Sequence, residues 1–206
     1  MSQAPRQARR IGIFGGAFDP PHMGHVALAK TAIAQLKLDE LRIIPTGEAW
    51  HKVGALSPAL HRLAMAELAF ADLGPVVIDP RETQRQGASY TVDTLRELHA
   101  EFPASEFFVI LGEDQGQAFT SWHRWEEIPQ LATICVAARA GFTGKARHLD
   151  GSAAPAHEFV LLKMPPVPLS STDIRQEVAN HHNVAPLVLE PVARYIDKHH
   201  LYQALR

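Results

Sequence analysis

Six short apolar runs, at 11–14, 41–44, 76–78, 107–111, 133–137 and 159–162, are set apart by longer stretches in which apolar residues recur every three to four positions. Runs this short and bounded by polar or turn residues read as strands, whereas the intervening period is that of a helix. Val26, Ala29, Ile33 and Leu36 fall near one face of a helix expected over 25–36, and Val92, Leu95, Leu98 and Phe102 form one stripe over 91–102. Pro45 ends the second strand. Ser57 and Pro58 supply an N-cap and a first-turn proline for a helix running to 70. A polar loop follows over 80–89, a Gly- and Ala-rich loop over 139–157, and two further helices are expected over 171–180 and 191–199. Strands that are apolar throughout are buried on both faces, and strand–helix alternation builds a parallel sheet with helices on either side. The chain is therefore expected to be an α/β protein with an open parallel sheet. Such sheets bind ligands at the carboxyl ends of their strands, where the strand order reverses.

With 206 residues, 46% of them hydrophobic, one core of good size is available. No internal repeat or linker divides it, so residues 1–206 are read as one domain. A net charge of −2 and a pI near 6.6 argue against nucleic-acid binding through a basic surface. No apolar stretch approaches membrane-spanning length, and the polar, basic residues 1–10 lack the apolar core of a signal peptide. One cysteine, Cys135, lies within an apolar run and reads as a buried, inert thiol. A chain with no internal disulfide fits a reducing compartment, so a cytoplasmic enzyme with no membrane or nucleic-acid partner is expected. Nothing here speaks to oligomeric state. The twelve histidines include two adjacent pairs, His181-His182 and His199-His200, whose side chains diverge on a helix. With one cysteine and no H-E-x-x-H, no protein-built metal site is expected.

Two segments carry the chemistry. Gly15-Gly16-Ala17-Phe18-Asp19-Pro20-Pro21-His22-Met23-Gly24-His25 leaves the first strand and enters the first helix, an active-site turn over 15–25. Its glycines let a ligand approach the backbone closely. The helix N-terminus offers N–H groups and a positive dipole end to an anion, and His22 and His25 beside it can bind phosphate oxygens, as cations too. Neither a Walker loop nor a G-x-G-x-x-G turn is present. Near the other end, Leu169-Ser170-Ser171-Thr172-Asp173-Ile174-Arg175 opens a helix with small hydroxyl residues and places a guanidinium one turn inside, in a C-terminal helical part of about 170–206. That is either an ordinary cap or a cradle for a polyphosphate.

Together the two segments resemble the HxGH and ISSTxIR signatures of the nucleotidylyltransferase superfamily, with Leu169 in place of isoleucine. The prefix GGxFxPxH resembles, within it, the nicotinate mononucleotide adenylyltransferases. Three more segments are similar to that branch: His51-Lys52 after the second strand, Ser89-Tyr90-Thr91 at a helix start, and Gly112-Glu113-Asp114 with Trp122 downstream. Residues 47–50 depart from the branch's Asn- and Pro-rich pattern, and Lys52 reads equally as a solvated lysine. Arg139-Ala140-Gly141 resembles an Arg-Pro-Gly turn in which alanine has replaced proline.

The resemblance implies a Rossmann-like sheet and transfer of AMP from ATP to nicotinate mononucleotide, giving deamido-NAD and pyrophosphate, with Mg²⁺ carried by the substrate. It implies catalytic roles for His22, His25 and Arg175. ATP contacts would come from Gly15, Gly16, Phe18, Gly24, Asp114, Arg139, Ser171 and Thr172, and mononucleotide contacts from Lys52, Thr91, Trp122 and His123. Trp122 is taken as the stacking platform and its neighbour Trp125 as a core residue. The alternatives are a nicotinamide mononucleotide enzyme, another HxGH nucleotidylyltransferase such as a phosphopantetheine adenylyltransferase or a glycerol-phosphate cytidylyltransferase, and a nucleotide-binding module without turnover.

Overall fold

A computed structural model describes residues 8–47, 56–137 and 159–203. In chain order the elements are β1 (Arg9–Gly16), α1 (Met23–Leu36), β2 (Glu40–Pro45), α2 (Ala59–Phe70), β3 (Val76–Ile78), α3 (Arg81–Gln84), α4 (Thr91–Glu101), β4 (Ser105–Gly112), α5 (Glu113–Gln117), α6 (Ile128–Leu131), β5 (Thr133–Ala137), β6 (Val160–Leu162), α7 (Ser171–Ala179) and α8 (Glu190–Lys198). All six strands pair in parallel, in the order β3-β2-β1-β4-β5-β6. This is the doubly wound, Rossmann-like arrangement. Its order reverses between β1 and β4, so a crevice opens beyond Gly16 and Gly112.

Residue alternation along the strands sorts the core into two layers. Ile11 and Ile13 of β1, Phe107, Val109 and Leu111 of β4, and Ile134 and Val136 of β5 pack on α4 and α6. Phe14, Leu41, Ile43, Phe108, Ile110 and Cys135 face the opposite way, onto α1, α2, α7 and α8. Gly12 belongs to this second face, where a Cβ would meet the Leu38 side chain at 2.5 Å. Cys135 is buried, and burial pushes its thiol up to about 12, the inert group expected.

Two local expectations need correction. Ser57 does not cap α2, whose first turn has no side-chain cap. The Ser57 main chain instead donates its N–H to Asp19 Oδ2 (3.0 Å) and accepts at its carbonyl from Arg62 Nε (2.9 Å), drawing the residue towards the turn after β1. The polar loop at 80–89 contains a helical turn, α3, which sets the Glu82 carbonyl against the end of β2. A Cβ on Gly47 would stand 2.1 Å from that carbonyl oxygen. Backbone cannot rotate away as a side chain can, so Gly47→Ala is expected to cost about 1–3 kcal/mol. A shift of the urea midpoint checks this.

Candidate active site

The turn after β1 is built on aromatic packing. Phe18 has φ +49, a left-handed conformation that a bulky residue adopts only when its surroundings hold it there. Its ring is 1% exposed, edge-on to Phe14 (5.4 Å), Phe70 (5.7 Å) and His25 (5.1 Å). Phe18 therefore does not reach a ligand. It braces the turn and His25 from below, which removes it from the expected ATP contacts. The large side chain next to two glycines could have signalled this, since a turn exposed on both sides has no use for a buried phenylalanine.

His22 and His25 cap α1 reciprocally. The Gly24 N–H donates to His22 Nδ1 (3.2 Å), and the His22 N–H donates to His25 Nδ1 (3.1 Å). The rings stack with centroids 3.7 Å apart. A ring nitrogen that accepts an N–H carries a lone pair, so each neutral imidazole keeps its proton on Nε2. The cap thus fixes both tautomers with the proton on Nε2, and both residues border the cleft beyond β1. Burial lowers the pKa of His22 from 6.5 to about 4, so it works as a neutral dipole at pH 7, not as the cation also allowed by sequence.

This shift has a consequence for stability. Between pH 6.5 and about 4 the unfolded chain takes up a proton at His22 that the folded chain refuses. The stabilisation is present above pH 6.5 and is lost as pH falls through that window, by about 3 kcal/mol in all. Denaturation measured from pH 7 to pH 4 should show the loss, and His22→Gln should flatten that part of the curve.

On the facing side, Ser170 caps α7, accepting the Asp173 N–H (3.1 Å) at its hydroxyl and the Ile174 N–H (3.2 Å) at its carbonyl. Ser171 and Arg175 of this helix bind the turn and also line the cleft. Ser171 Oγ donates to the Pro20 carbonyl (2.9 Å), Arg175 Nη1 to the Asp19 carbonyl (2.8 Å), and Arg175 Nη2 to Thr172 Oγ1 (3.2 Å). The two sequence signatures are thereby joined side chain to main chain, 151 and 156 residues apart.

A cleft of about 1120 Å³ lies over the carboxyl ends of β1 and β4. Gly15, Gly16, His22, Gly24, His25, Ser171, Thr172 and Arg175 form one part of its wall, and Thr91, Asp114, Trp122 and His123 another. Trp122 is half-buried against Phe119 (5.7 Å), while Trp125 is buried in the core, as their surroundings in sequence suggest. His123 stacks on Tyr90, centroids 4.1 Å apart. Lys52 and Arg139 lie outside the described residues.

Residues not expected from sequence sit beneath this wall. Arg62, nearly fully buried on α2, binds the carbonyls of Ala17 (3.2 Å), Thr46 (2.7 Å) and Ser57 (2.9 Å), gathering three chain segments at the strand ends. Its signal was legible: Arg62 precedes Met65, Ala66 and Ala69 on the apolar stripe of an amphipathic helix, where a charge calls for a buried partner. Glu82, also in the cleft wall, is buried and accepts from Thr94 Oγ1 (2.8 Å); burial pushes its carboxyl pKa up.

The cytidylyltransferase-like family model matches residues 13–177. The chain is 62% identical over 195 residues to a "Probable nicotinate-nucleotide adenylyltransferase" of Albidiferax ferrireducens, covering 95% of this chain and 98% of that one. It is 43% identical over 206 residues to a protein of the same name from Methylibium petroleiphilum, covering 98% and 95%. Its fold is similar to that of the Plasmodium falciparum nicotinic acid mononucleotide adenylyltransferase complexed with NaAD, with a TM-score of 0.78, 18% identity and coverage of 94% and 97%.

Proposed function

The chain belongs to the cytidylyltransferase-like family and, within it, to the nicotinate-nucleotide adenylyltransferases, and from that premise we propose how its cleft transfers AMP from ATP to nicotinate mononucleotide. An oxygen of the mononucleotide's 5′-phosphate attacks the α-phosphorus, the bond to the bridging oxygen breaks, and deamido-NAD and pyrophosphate result. The nucleophile is already an anion, so no general base is required. The work is alignment and stabilisation of charge on the α-phosphate and the departing pyrophosphate.

The observation that carries this reading is the reciprocal histidine cap, which puts the protons of two cleft-lining imidazoles on Nε2 beside the start of α1. His22 and His25 donate to α- and β-phosphate oxygens. The N-terminal N–H groups of α7 and the remaining guanidinium donors of Arg175 hold the triphosphate tail. Gly15, Gly16 and Gly24 let the nucleotide close onto the backbone, and Asp114 accepts from sugar hydroxyls. ATP enters as its Mg²⁺ complex. Asp19, the carboxylate of the turn itself, is buried and already accepts from Ser57 and Tyr202, and in this reading the ion is carried mainly by substrate phosphates. Among the described residues no helix is long and apolar enough to cross a membrane. We place the enzyme in the cytoplasm, with residues 1–206 as one catalytic domain.

The other end of the cleft reads the pyridine ring. Trp122 offers a flat platform for it. Within α4, the Asp93 and Thr94 N–H groups donate to the Tyr90 carbonyl, whereas those of Thr91 and Val92 precede the first intrahelical acceptor. Donors at a positive dipole end suit a carboxylate, and an amide would turn its NH₂ against them. Nicotinate mononucleotide is therefore expected to exceed nicotinamide mononucleotide by at least about tenfold in kcat/KM. Trp122→Ala should weaken both while changing their ratio less. Pyrophosphate release with ATP, Mg²⁺ and each acceptor in turn decides it; equal or better use of the amide overturns the acid-specific reading.

A further inference from the structure

Asp19 lies at the centre of the phosphate turn, 3% exposed, and each of its three oxygens is held from a different part of the chain. Ser57 N–H donates to Oδ2 (3.0 Å), Arg175 Nη1 to the main-chain oxygen (2.8 Å), and Tyr202 Oη to Oδ1 (2.6 Å). The first two belong to segments already tied to the turn. Tyr202 does not: it comes from the segment after α8, 183 residues away in sequence. The chain reaches that position through two left-handed residues, His200 (φ 51) and Tyr202 itself (φ 62). Residues with a Cβ take up that conformation only where surrounding contacts enforce it. Beyond His200 the tail is folded back on α8, with the Leu201 N–H on the Ile196 carbonyl (3.1 Å), and the phenol rests beside Met65 Sδ (3.8 Å). Tyr202 is absent from the cleft wall that Asp19 helps to form. Its hydroxyl donates to Asp19, a residue of the turn, and also meets the side chain of Ser57, whose main chain holds the other carboxylate oxygen.

We propose that Tyr202 is a positioning residue for adenylyl transfer, its hydroxyl fixing the Asp19 carboxylate and so the turn that aims the His22 and His25 rings. The proposal rests on the adenylyltransferase reading above. Without the hydroxyl, Oδ1 would be a buried carboxylate oxygen lacking its donor. The carboxylate would turn towards Arg62, which already binds the carbonyls of Ala17 and Ser57 on either side of it. That movement carries Asp19 and Pro20, and with them the first residue of the histidine cap. Reacting phosphates tolerate little misplacement of their donors in the transition state, whereas ground-state affinity is spread over many contacts. The loss therefore falls on kcat and not on KM.

Tyr202→Phe keeps the ring and removes only the hydroxyl. In hydrogen exchange on the free protein, amides of 17–25 should exchange about tenfold faster in the variant, with α8 unchanged. In steady-state pyrophosphate release, kcat should fall about tenfold while KM for ATP and for nicotinate mononucleotide stays within about twofold. Asp19→Asn combined with Tyr202→Phe should cost no more than the larger single effect, because both act through one hydrogen bond. Unchanged exchange at 17–25 overturns the proposal, as does a double variant whose losses multiply, or a rate loss matched by lost folded protein. Exchange needs no substrate, so it tests the latch separately from wild-type turnover, which tests the adenylyltransferase reading.

Discussion

His25→Ala is expected to lower kcat by roughly 10²–10³, the scale for removing one donor aimed at developing negative charge. The physical case rests on what the ring does at each nitrogen. Its Nδ1 accepts the His22 N–H, which forces the proton onto Nε2 and commits that donor in advance of substrate. Phe18 holds the ring edge-on from beneath and Phe14 stands 6.0 Å away, so little reorganisation remains for the transition state. Alanine removes the Nε2–H and also leaves the His22 N–H without this acceptor. That second loss concerns a helix end at the mouth of the cleft, and costs about 1 kcal/mol of stability, too little to unfold the protein. KM for ATP should move far less than kcat, since a donor matched to the transition state contributes mainly there. Pyrophosphate release under saturating substrates measures the change. Near-normal turnover would falsify a role for His25 in the chemistry.

How much of this could be read in the chain depends on distance along it. All six strands stand where apolar runs place them: the four inner strands bury apolar residues on both faces, while the edge strands β3 and β6 are short apolar runs that leave Val77, Val160 and Leu161 exposed. β1 and β4 are longer than their apolar cores, extending to Arg9 and Gly16 and from Ser105 to Gly112. Backbone pairing does not stop where the side chains change character. The short helices α3, α5 and α6 escaped the pattern, since four or five residues display no helical period. Both signature segments were legible as helix starts, and the structure brings them to one cleft.

What local reading could not supply is the use of each atom. Ser171 looks like a phosphate ligand through its hydroxyl, yet that hydroxyl donates to Pro20, leaving its main-chain N–H for a ligand. Phe18 looks like part of the binding loop and is its foundation. Asp19, placed between phenylalanine and proline, shows nothing of the Ser57, Arg175 and Tyr202 contacts that converge on it. The contacts of Ser171 and Asp19 depend on partners more than a hundred residues away, or, for Ser57, on a turn 38 residues earlier, and Phe18 on Phe70 of α2. A turn rich in glycine and proline has few local contacts to hold it, so its rigidity has to come from elsewhere in the fold.

Arg175 shows most directly why that rigidity matters for turnover, and its replacement by alanine is expected to lower kcat by about 10²-fold. A guanidinium has five N–H donors in a fixed plane. One binds the Asp19 carbonyl and another Thr172 Oγ1, which sets the plane of the group before any ligand arrives. In the proposed mechanism the others meet the departing pyrophosphate, in a wall shared with the α7 N-terminus. Alanine loses both tasks, a charge-assisted bond to the turn and a cation opposite the leaving group; each is worth about 1.5–3 kcal/mol on the scale of hydrogen bonds to charged groups, and they overlap because one residue carries both. Lysine separates the two. Its ammonium keeps the charge but cannot meet Asp19, Thr172 and a phosphate in one plane. Arg175→Lys should therefore recover only part of the alanine loss, with kcat still about tenfold below wild type. Because the pyrophosphate contact is made in both directions, synthesis of ATP from deamido-NAD and pyrophosphate should fall by a similar factor. If lysine restores the full forward and reverse rates, the guanidinium plane is irrelevant and Arg175 serves as a surface charge beside an ordinary helix cap.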